Sequence, residues 1–345
     1  MIENKLCELT NRDYAIPVRS GTDALQLSLL SYDIGIGDEV LVSNFSWVST
    51  ASCISMVGAT PVFCDVDLDT YHISMSSVRK MVSKKTKAST FPHLFGSMMQ
   101  TNELVSFCKE NDILLIEDAC QSIGCVLNDS PAGSIGDIST LSFNLNKVVS
   151  GITGGGAILT NDDIIASKLK KLSHHGYGKD FEYLGINGRM SDVDKIEICK
   201  QLDTLQETIA ERNVFAENYD RFFKSFPVKM QNIPERLYSN RHKYTLRFES
   251  KEMRDRMKNI FGCKVHYSKP ISENTMYQNI VHRKDRCPNS KLISDTILTL
   301  PMEGDKKPTN EIYKLLVEKI FNDPNYGDYT MKEHLNDALF DIARG

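Results

Sequence analysis

The chain has 345 residues, long for one hydrophobic core and suited to two domains. Apolar residues make up 41% and charged residues 25%, and the net charge of -4 is interspersed along the chain, which excludes the basic footprint of a nucleic-acid binder. No apolar run approaches the ~20 residues of a membrane-spanning helix. The N-terminus lacks the order of a signal peptide, and the nine cysteines show no paired zinc spacing, so a cytoplasmic protein with reduced thiols and no metal site is expected.

In chain order, "SGTDALQLSLLSY" reads as a helix with Ser20 as N-cap and Leu25, Leu29 and Leu30 on one face. "DEVLVS" reads as a strand, "FSWVSTASCISMVG" as a helix ending at Gly58, and "TPVFCDVD" as a strand. A helix over 76–82 follows, then the strand "KASTFPHLFG", the helix "TNELVSFCKEN" and the buried strand "DILLIEDA". Strand-like runs over 138–143 and 157–160 flank Lys147 and the glycines Gly154, Gly155 and Gly156. Alternation of strands with helices of about ten residues implies parallel pairing through right-handed crossovers. Ligands then gather beyond the carboxyl ends of the strands, near Ser20 to Thr22, Trp47, His93, Asp118 to Gln121 and Lys147.

The segment 191–223 carries helical spacing, with Val193, Ile196, Ile198, Leu202, Leu205, Ile209 and Val214, and reads as one long helix joining two lobes. Short strands follow ("YTLRFES", "CKVHYS"), then a helix over 311–321 and a C-terminal amphipathic helix using Leu335, Leu339 and Ile342. The expected division is a large α/β domain over 1–210, a smaller α+β domain over 211–325 and a tail over 326–345.

Three features suggest chemistry. Gly21 and Thr22 open a helix, where free amides, a hydroxyl and the helix dipole favour an anion. Asp118 ends a continuous apolar run, so its carboxylate needs a cationic or hydrogen-bonded partner, and Gln121 points the same way if a helix starts there. Lys147 stands between two apolar strands, where shelter makes an amine able to attack a carbonyl and form a Schiff base. Each has a plainer reading alone: an N-cap, a structural aspartate, a surface lysine. Together they describe a holder for pyridoxal 5'-phosphate, with Trp47, the only tryptophan, able to stack on the ring.

At these residues the sequence resembles the DegT/DnrJ/StrS type of nucleotide-sugar aminotransferases, pyridoxal-phosphate enzymes of fold type I. The stretches "SGTDAL", "IGIGDEVLVSNFSWVSTA", "GATPVFCDVD", "HLFG", "IEDACQSIG", "GSIGDISTLSFNLNK", "GGGAILTND", "HHGY", "GINGRMSD" and "VHYSKP" come in the family's order. The resemblance implies a mostly parallel mixed sheet in the large domain. It implies that Lys147 carries the cofactor and shuttles the proton, that Asp118 pairs with the pyridinium and that Gln121 bonds the ring hydroxyl oxygen. Gly21, Thr22 and Ser142 would hold the phosphate, Trp47 would stack on the ring, and Asn187 would reach the neighbouring subunit's cofactor in a homodimer. Glutamate would give its amino group to the cofactor, with a pyridoxamine 5'-phosphate intermediate, and a nucleotide-linked keto-6-deoxysugar, a 4-keto sugar of UDP or dTDP, would receive it. Arg189 and His266 are candidates for touching that substrate.

Departures from the family pattern are a short segment ahead of "SGT", Asn144 where histidine or tyrosine is frequent, and Gly154 where an acid is frequent. In a related dehydratase branch a histidine replaces the lysine, so Lys147 favours amine transfer. The alternatives are a pyridoxal-phosphate dehydratase or lyase on the same scaffold, and a non-catalytic cofactor-binding regulator. His93, His174 and His175 read as packed or solvated residues.

Overall fold

The computed structural model describes residues 1–224 and 226–302, and the helices expected over 311–321 and in the tail lie outside them. The chain opens with helix α1 (Ile2–Thr10) and strand β1 (Tyr14–Val18), neither of which the sequence reading placed. Then come α2 (Gly21–Ser31), β2 (Glu39–Ser43), α3 (Ser49–Met56), β3 (Thr60–Cys64), α4 (Met75–Met81), β4 (Thr86–Pro92), α5 (Asn102–Glu110) and β5 (Leu114–Asp118). These match the expected elements to within a few residues. A small hairpin, β6 (Val126–Leu127) and β7 (Ser130–Pro131), precedes β8 (Ile138–Ser142), β9 (Gly156–Thr160) and α6 (Asp163–Leu172).

The main sheet has eight strands in the order β1-β9-β8-β5-β4-β2-β3 plus β13 (Arg283–Lys284) at the far edge. Strands β3, β2, β4, β5 and β8 run parallel, and β9 returns antiparallel to both β8 and β1. Every residue of β2 is buried, as a central parallel strand covered on both faces requires. Its side chains alternate. Val40 and Val42 join a core with α2, α3 and α6, while Leu41 joins a second core with α4 and α5. The result is an α/β/α sandwich, a mostly parallel mixed sheet as expected.

The segment over 191–223 is two helices, α7 (Asp192–Asp203) and α8 (Leu205–Phe223), rather than one. Thr204 leaves helical dihedrals (φ -111°, ψ 13°). Asp203 and Thr204 are both weak helix formers, and Asp203 is drawn to the Lys5 ammonium of α1. Helix α8 spans two cores. Leu205 and Ile209 pack beneath the main sheet, and Phe215, Tyr219, Phe222 and Phe223 pack on a three-stranded sheet. That sheet comprises β10 (Lys229–Met230), β12 (Tyr244–Arg247) and β14 (Ile297–Leu300), backed by α9 (Lys251–Phe261), against which α10 (Pro288–Thr296) packs; β11 (Leu237–Tyr238) pairs with β6. The strand expected at "CKVHYS" does not form. Only Lys264 bridges Thr299, and the chain then turns at His266 and Tyr267, letting Tyr267 stack on Phe95 at 6.0 Å.

Behind the carboxyl end of β5 lies a buried polar network. Glu117, fully buried, accepts from Gly133 N at 2.7 Å, Ile135 N at 2.8 Å, Ser139 Oγ at 2.8 Å and His93 Nε2 at 3.1 Å. His93 Nδ1 accepts from Met99 N, so the ring proton is on Nε2. His93 is thus a packed residue. Replacing Glu117 by Gln turns one acceptor into a donor facing other donors. It should lower stability by about 2–3 kcal/mol, read as a shift of the urea midpoint; an unshifted midpoint would show that the network carries no net stability.

Candidate active site

The strand order reverses around β2, with β3 on one side and β4 and β5 on the other. At such a point the connections leave in opposite directions and open a crevice at the carboxyl ends. A cavity of about 240 Å³ lies there.

One wall is the start of α2. The Ser20 hydroxyl accepts from Asp23 N at 3.0 Å, which leaves the amides of Gly21 and Thr22 in the first turn, beyond reach of any helical carbonyl. A Cβ on Gly21 would lie 2.7 Å from Ser142 Cβ and 3.0 Å from its hydroxyl, so only glycine lets α2 meet the end of β8. A Cβ on Gly156 would lie 2.4 Å from Ser20 O, so the same close approach needs glycine at the start of β9. The paired residues Ser142 and Gly156 close the base of the loop that carries Lys147.

The floor is Asp118, 6% exposed at the end of β5. Its carboxylate accepts from Thr50 Oγ1 at 3.0 Å and from Cys120 N at 3.2 Å. No helix starts after it. The chain turns, with Ser122 N bonded to Ala119 O at 3.1 Å, and the turn brings Gln121 to the cavity instead. Gln121 Oε1 accepts from Phe95 N at 3.0 Å, and Nε2 donates one proton to Tyr267 Oη at 3.0 Å, keeping a second N–H for another acceptor.

Lys147 enters from the β8–β9 loop, in a turn closed by Lys147 N to Asn144 O at 2.8 Å and Gly151 N to Phe143 O at 2.9 Å. Burial depresses the ammonium below its usual range; Cys120 and Asp118 oppose that shift, and the Lys243 charge adds to it. The neutral, nucleophilic amine is therefore easier to reach than in a surface lysine. Trp47, 57% exposed, borders the mouth with its ring 6.2 Å from Tyr267.

The residues named from sequence therefore divide. Gly21, Thr22 and Ser142 line one side of the cavity, Asp118, Gln121 and Lys147 its depth, and Trp47 and His266 its mouth. His266 Nδ1 lies 3.0 Å from Thr299 Oγ1, and burial with nearby lysines lowers its pKa to about 4, so it is neutral at pH 7. Asn187 and Arg189 are exposed, pair in bridges with His174 and Val18, and do not line this cavity. Thr50, Cys120, Lys243 and Tyr267 line it without having been singled out. Tyr267, Thr50 and Cys120 lie in the "VHYSKP", "IGIGDEVLVSNFSWVSTA" and "IEDACQSIG" stretches and had that signal; Lys243 carries no local one. Among the described residues no cluster of metal ligands occurs and no helix is long and apolar enough to cross a membrane.

The donor set fits a phosphorylated pyridine aldehyde: an amide-rich helix start beside a hydroxyl, a buried carboxylate, an amine and an uncovered indole face around one cavity. Fold and site define a class, an α/β protein with a cavity at the carboxyl edge of a mostly parallel sheet and a lysine among the cavity's lining residues. The model of the DegT/DnrJ/EryC1/StrS aminotransferase family matches residues 1–314, and the chain belongs to that family. A UDP-2-acetamido-2-deoxy-3-oxo-D-glucuronate aminotransferase of Pseudomonas aeruginosa is 27% identical over 87% of this chain and 84% of its own length. A protein of Geobacillus stearothermophilus named a pleiotropic regulatory protein is 28% identical over 92% of this chain and 87% of its own. A crystal structure of a DegT DnrJ EryC1 StrS aminotransferase from Brucella abortus superposes with a TM-score of 0.85 at 28% identity, covering 95% of this chain and 90% of that one.

Proposed function

We propose that the chain moves an amino group from glutamate, through pyridoxal 5'-phosphate, to a nucleotide-linked keto-6-deoxysugar, a 4-keto sugar of UDP or dTDP, to make an amino sugar for glycan biosynthesis. The observation that carries this reading is the convergence of Lys147 and Asp118 on one cavity whose third wall is the start of α2. The family and the named relative from Pseudomonas aeruginosa support a nucleotide-sugar acceptor.

When bound, the cofactor supplies an electron sink that stabilises negative charge on the substrate carbon. Asp118, fixed by Thr50 and the Cys120 amide, keeps the ring nitrogen protonated. Gly21, Thr22 and Ser142 would bind the phosphate, the remaining N–H of Gln121 would be available to the ring oxygen, and Trp47 would cover one ring face; all of them line the cavity. The Lys147 Nζ would tether the cofactor at rest and, once the donor's own amine has displaced it from that bond, would take the proton from the donor's α-carbon and later deliver one to the acceptor carbon. The exposed position of Asn187 suits a homodimer in which each subunit lends this side chain to the other's site, while Arg189 is kept as a substrate candidate. Residues 1–210 form the cofactor domain and 211–325 the smaller domain in this reading, and the setting is cytoplasmic.

A decisive experiment incubates the cofactor-loaded protein with glutamate and then with a panel of UDP-, dTDP- and GDP-linked keto-sugars. Release of 2-oxoglutarate with conversion to the pyridoxamine form, followed by a product one amino group richer, is expected. Loss of water from the sugar without amine transfer would favour the dehydratase reading. Cofactor binding with no reaction at all would favour the regulatory one, which the name of the Geobacillus relative keeps in view.

A further inference from the structure

His242 is only 5% exposed, yet it lines the cavity together with Lys147, Asp118 and Gln121. Neither of its ring nitrogens has a hydrogen-bond partner among the described residues, and neither is sealed from solvent. A polar group so far from bulk water normally finds a partner. The opening that these nitrogens keep is the cavity itself.

The backbone beneath the ring is fixed. His242 N donates to Asn240 Oδ1 at 3.0 Å, and its carbonyl accepts from Arg212 Nη2 of α8 at 2.9 Å. Asn240 Nδ2 in turn donates to Gln121 O at 3.2 Å and Ile123 O at 2.9 Å, which ties the segment to the turn that follows Asp118. Gly96 packs so closely against it that a Cβ there would lie 2.8 Å from His242 N. The ring is thus held by bonds that it does not itself make, and its two nitrogens stay uncommitted. That is preorganisation for a ligand.

Chemistry narrows what the ligand group is. Burial, with the Lys147 charge nearby, holds His242 well below the usual histidine range. The ring is therefore neutral, with one N–H to give and one lone pair to receive. A phosphate or carboxylate offers only acceptors and is best met by a cation. In the aminotransferase reading the cofactor's phosphate, ring nitrogen and ring oxygen already have α2 with Ser142, Asp118 and Gln121. What is left is an uncharged polar group of a substrate. A ketone oxygen can only accept, whereas a hydroxyl both gives and receives and can use either nitrogen. The acceptor sugar carries a hydroxyl on the carbon beside its ketone, and glutamate carries none. Resting on that reading, we propose that His242 is a specificity-determining residue that hydrogen-bonds the hydroxyl beside the ketone of the acceptor sugar.

The test is calorimetric titration of pyridoxal-phosphate-loaded protein, which holds no amine to pass to a ketone. The ligands are UDP- and dTDP-linked 4-keto-6-deoxyglucose, their 3-deoxy counterparts, and UDP and dTDP alone. His242→Phe and His242→Leu remove both nitrogens, with and without a ring, and His242→Gln restores a donor and an acceptor. Wild type should bind the hydroxylated sugar about five- to tenfold more tightly than the 3-deoxy one, the effect of one neutral hydrogen bond. His242→Phe and His242→Leu should bind the two sugars alike, and His242→Gln should recover part of the difference; such a cycle isolates the pair from other effects of the substitution. Cofactor loading and affinity for the bare nucleotide should be kept in all three. A wild type that binds the two sugars alike, or binds neither, overturns the proposal. So does a difference that survives in either apolar variant. Amine transfer to a sugar that His242 does not select leaves the aminotransferase reading standing and defeats this one. Selection of the hydroxyl through His242 with no amine transfer from glutamate does the reverse.

Discussion

Lys147→Ala is expected to remain folded, to bind pyridoxal 5'-phosphate only reversibly, and to lose at least about 10³-fold in the glutamate half-reaction. The loss combines two roles in one atom. Nζ is the covalent tether, and it is also the base that must sit within reach of the donor's α-carbon. Among the described residues, the other lysine lining the cavity is Lys243, which comes from a segment bonded to Phe95 and Arg212 rather than from the β8–β9 loop. Folding should survive because burial disfavours the Lys147 ammonium in the first place, and because the turn around it is held by backbone bonds that alanine keeps. The readout is borohydride reduction followed by peptide mass mapping. Wild type should carry the reduced adduct on Lys147 and the variant none; an adduct on a different lysine would refute the assignment.

Asp118→Asn tests the other end of the cofactor. Asparagine preserves shape, but its single oxygen can accept only one of the two bonds that Thr50 Oγ1 and the Cys120 amide make, at 3.0 and 3.2 Å, to different carboxylate oxygens. What it removes is the negative charge opposite the ring nitrogen. Breaking one side of a buried charge pair costs about 3–5 kcal/mol, so the half-reaction should slow by roughly 10²–10⁴-fold. Phosphate contacts are untouched, so the cofactor should still bind, with weakened affinity. The absorbance spectrum of the reconstituted variant and stopped-flow conversion by glutamate measure both. A rate within threefold of wild type would mean that Asp118 is only a structural residue buried among hydroxyls.

Much of this architecture was visible before any coordinates. The strands from Glu39 to Asp118 are short apolar runs with turn residues between them, and their helices carry an apolar face, so type and order followed from pattern. The first eighteen residues did not read so clearly. α1 buries Ile2 and Leu6, and β1 finds its place only by pairing with β9, more than a hundred residues away. The break at Thr204 was hidden because hydrophobic spacing runs on through it. An ion pair from Asp203 to α1, invisible locally, accompanies a weak propensity there. The failed strand at "CKVHYS" has a similar origin, since its alternation is real but its tyrosine is taken up by Phe95 across the cavity.

The site shows the same division. Chain chemistry by itself named Lys147, Asp118, Gly21, Thr22, Gln121 and Trp47, because each stands at a strand end or helix start, where local rules place ligand-facing groups, and the family resemblance added Ser142. Tertiary structure alone decided that Gln121 reaches the cavity by a turn, that Asn187 and Arg189 face outward, and that Lys243 and Tyr267 complete the far wall. The reason is physical. Periodicity and capping report on contacts within about one turn or one strand, whereas the far wall is set by the packing of α8 across two cores and by hydrogen bonds between residues more than a hundred positions apart.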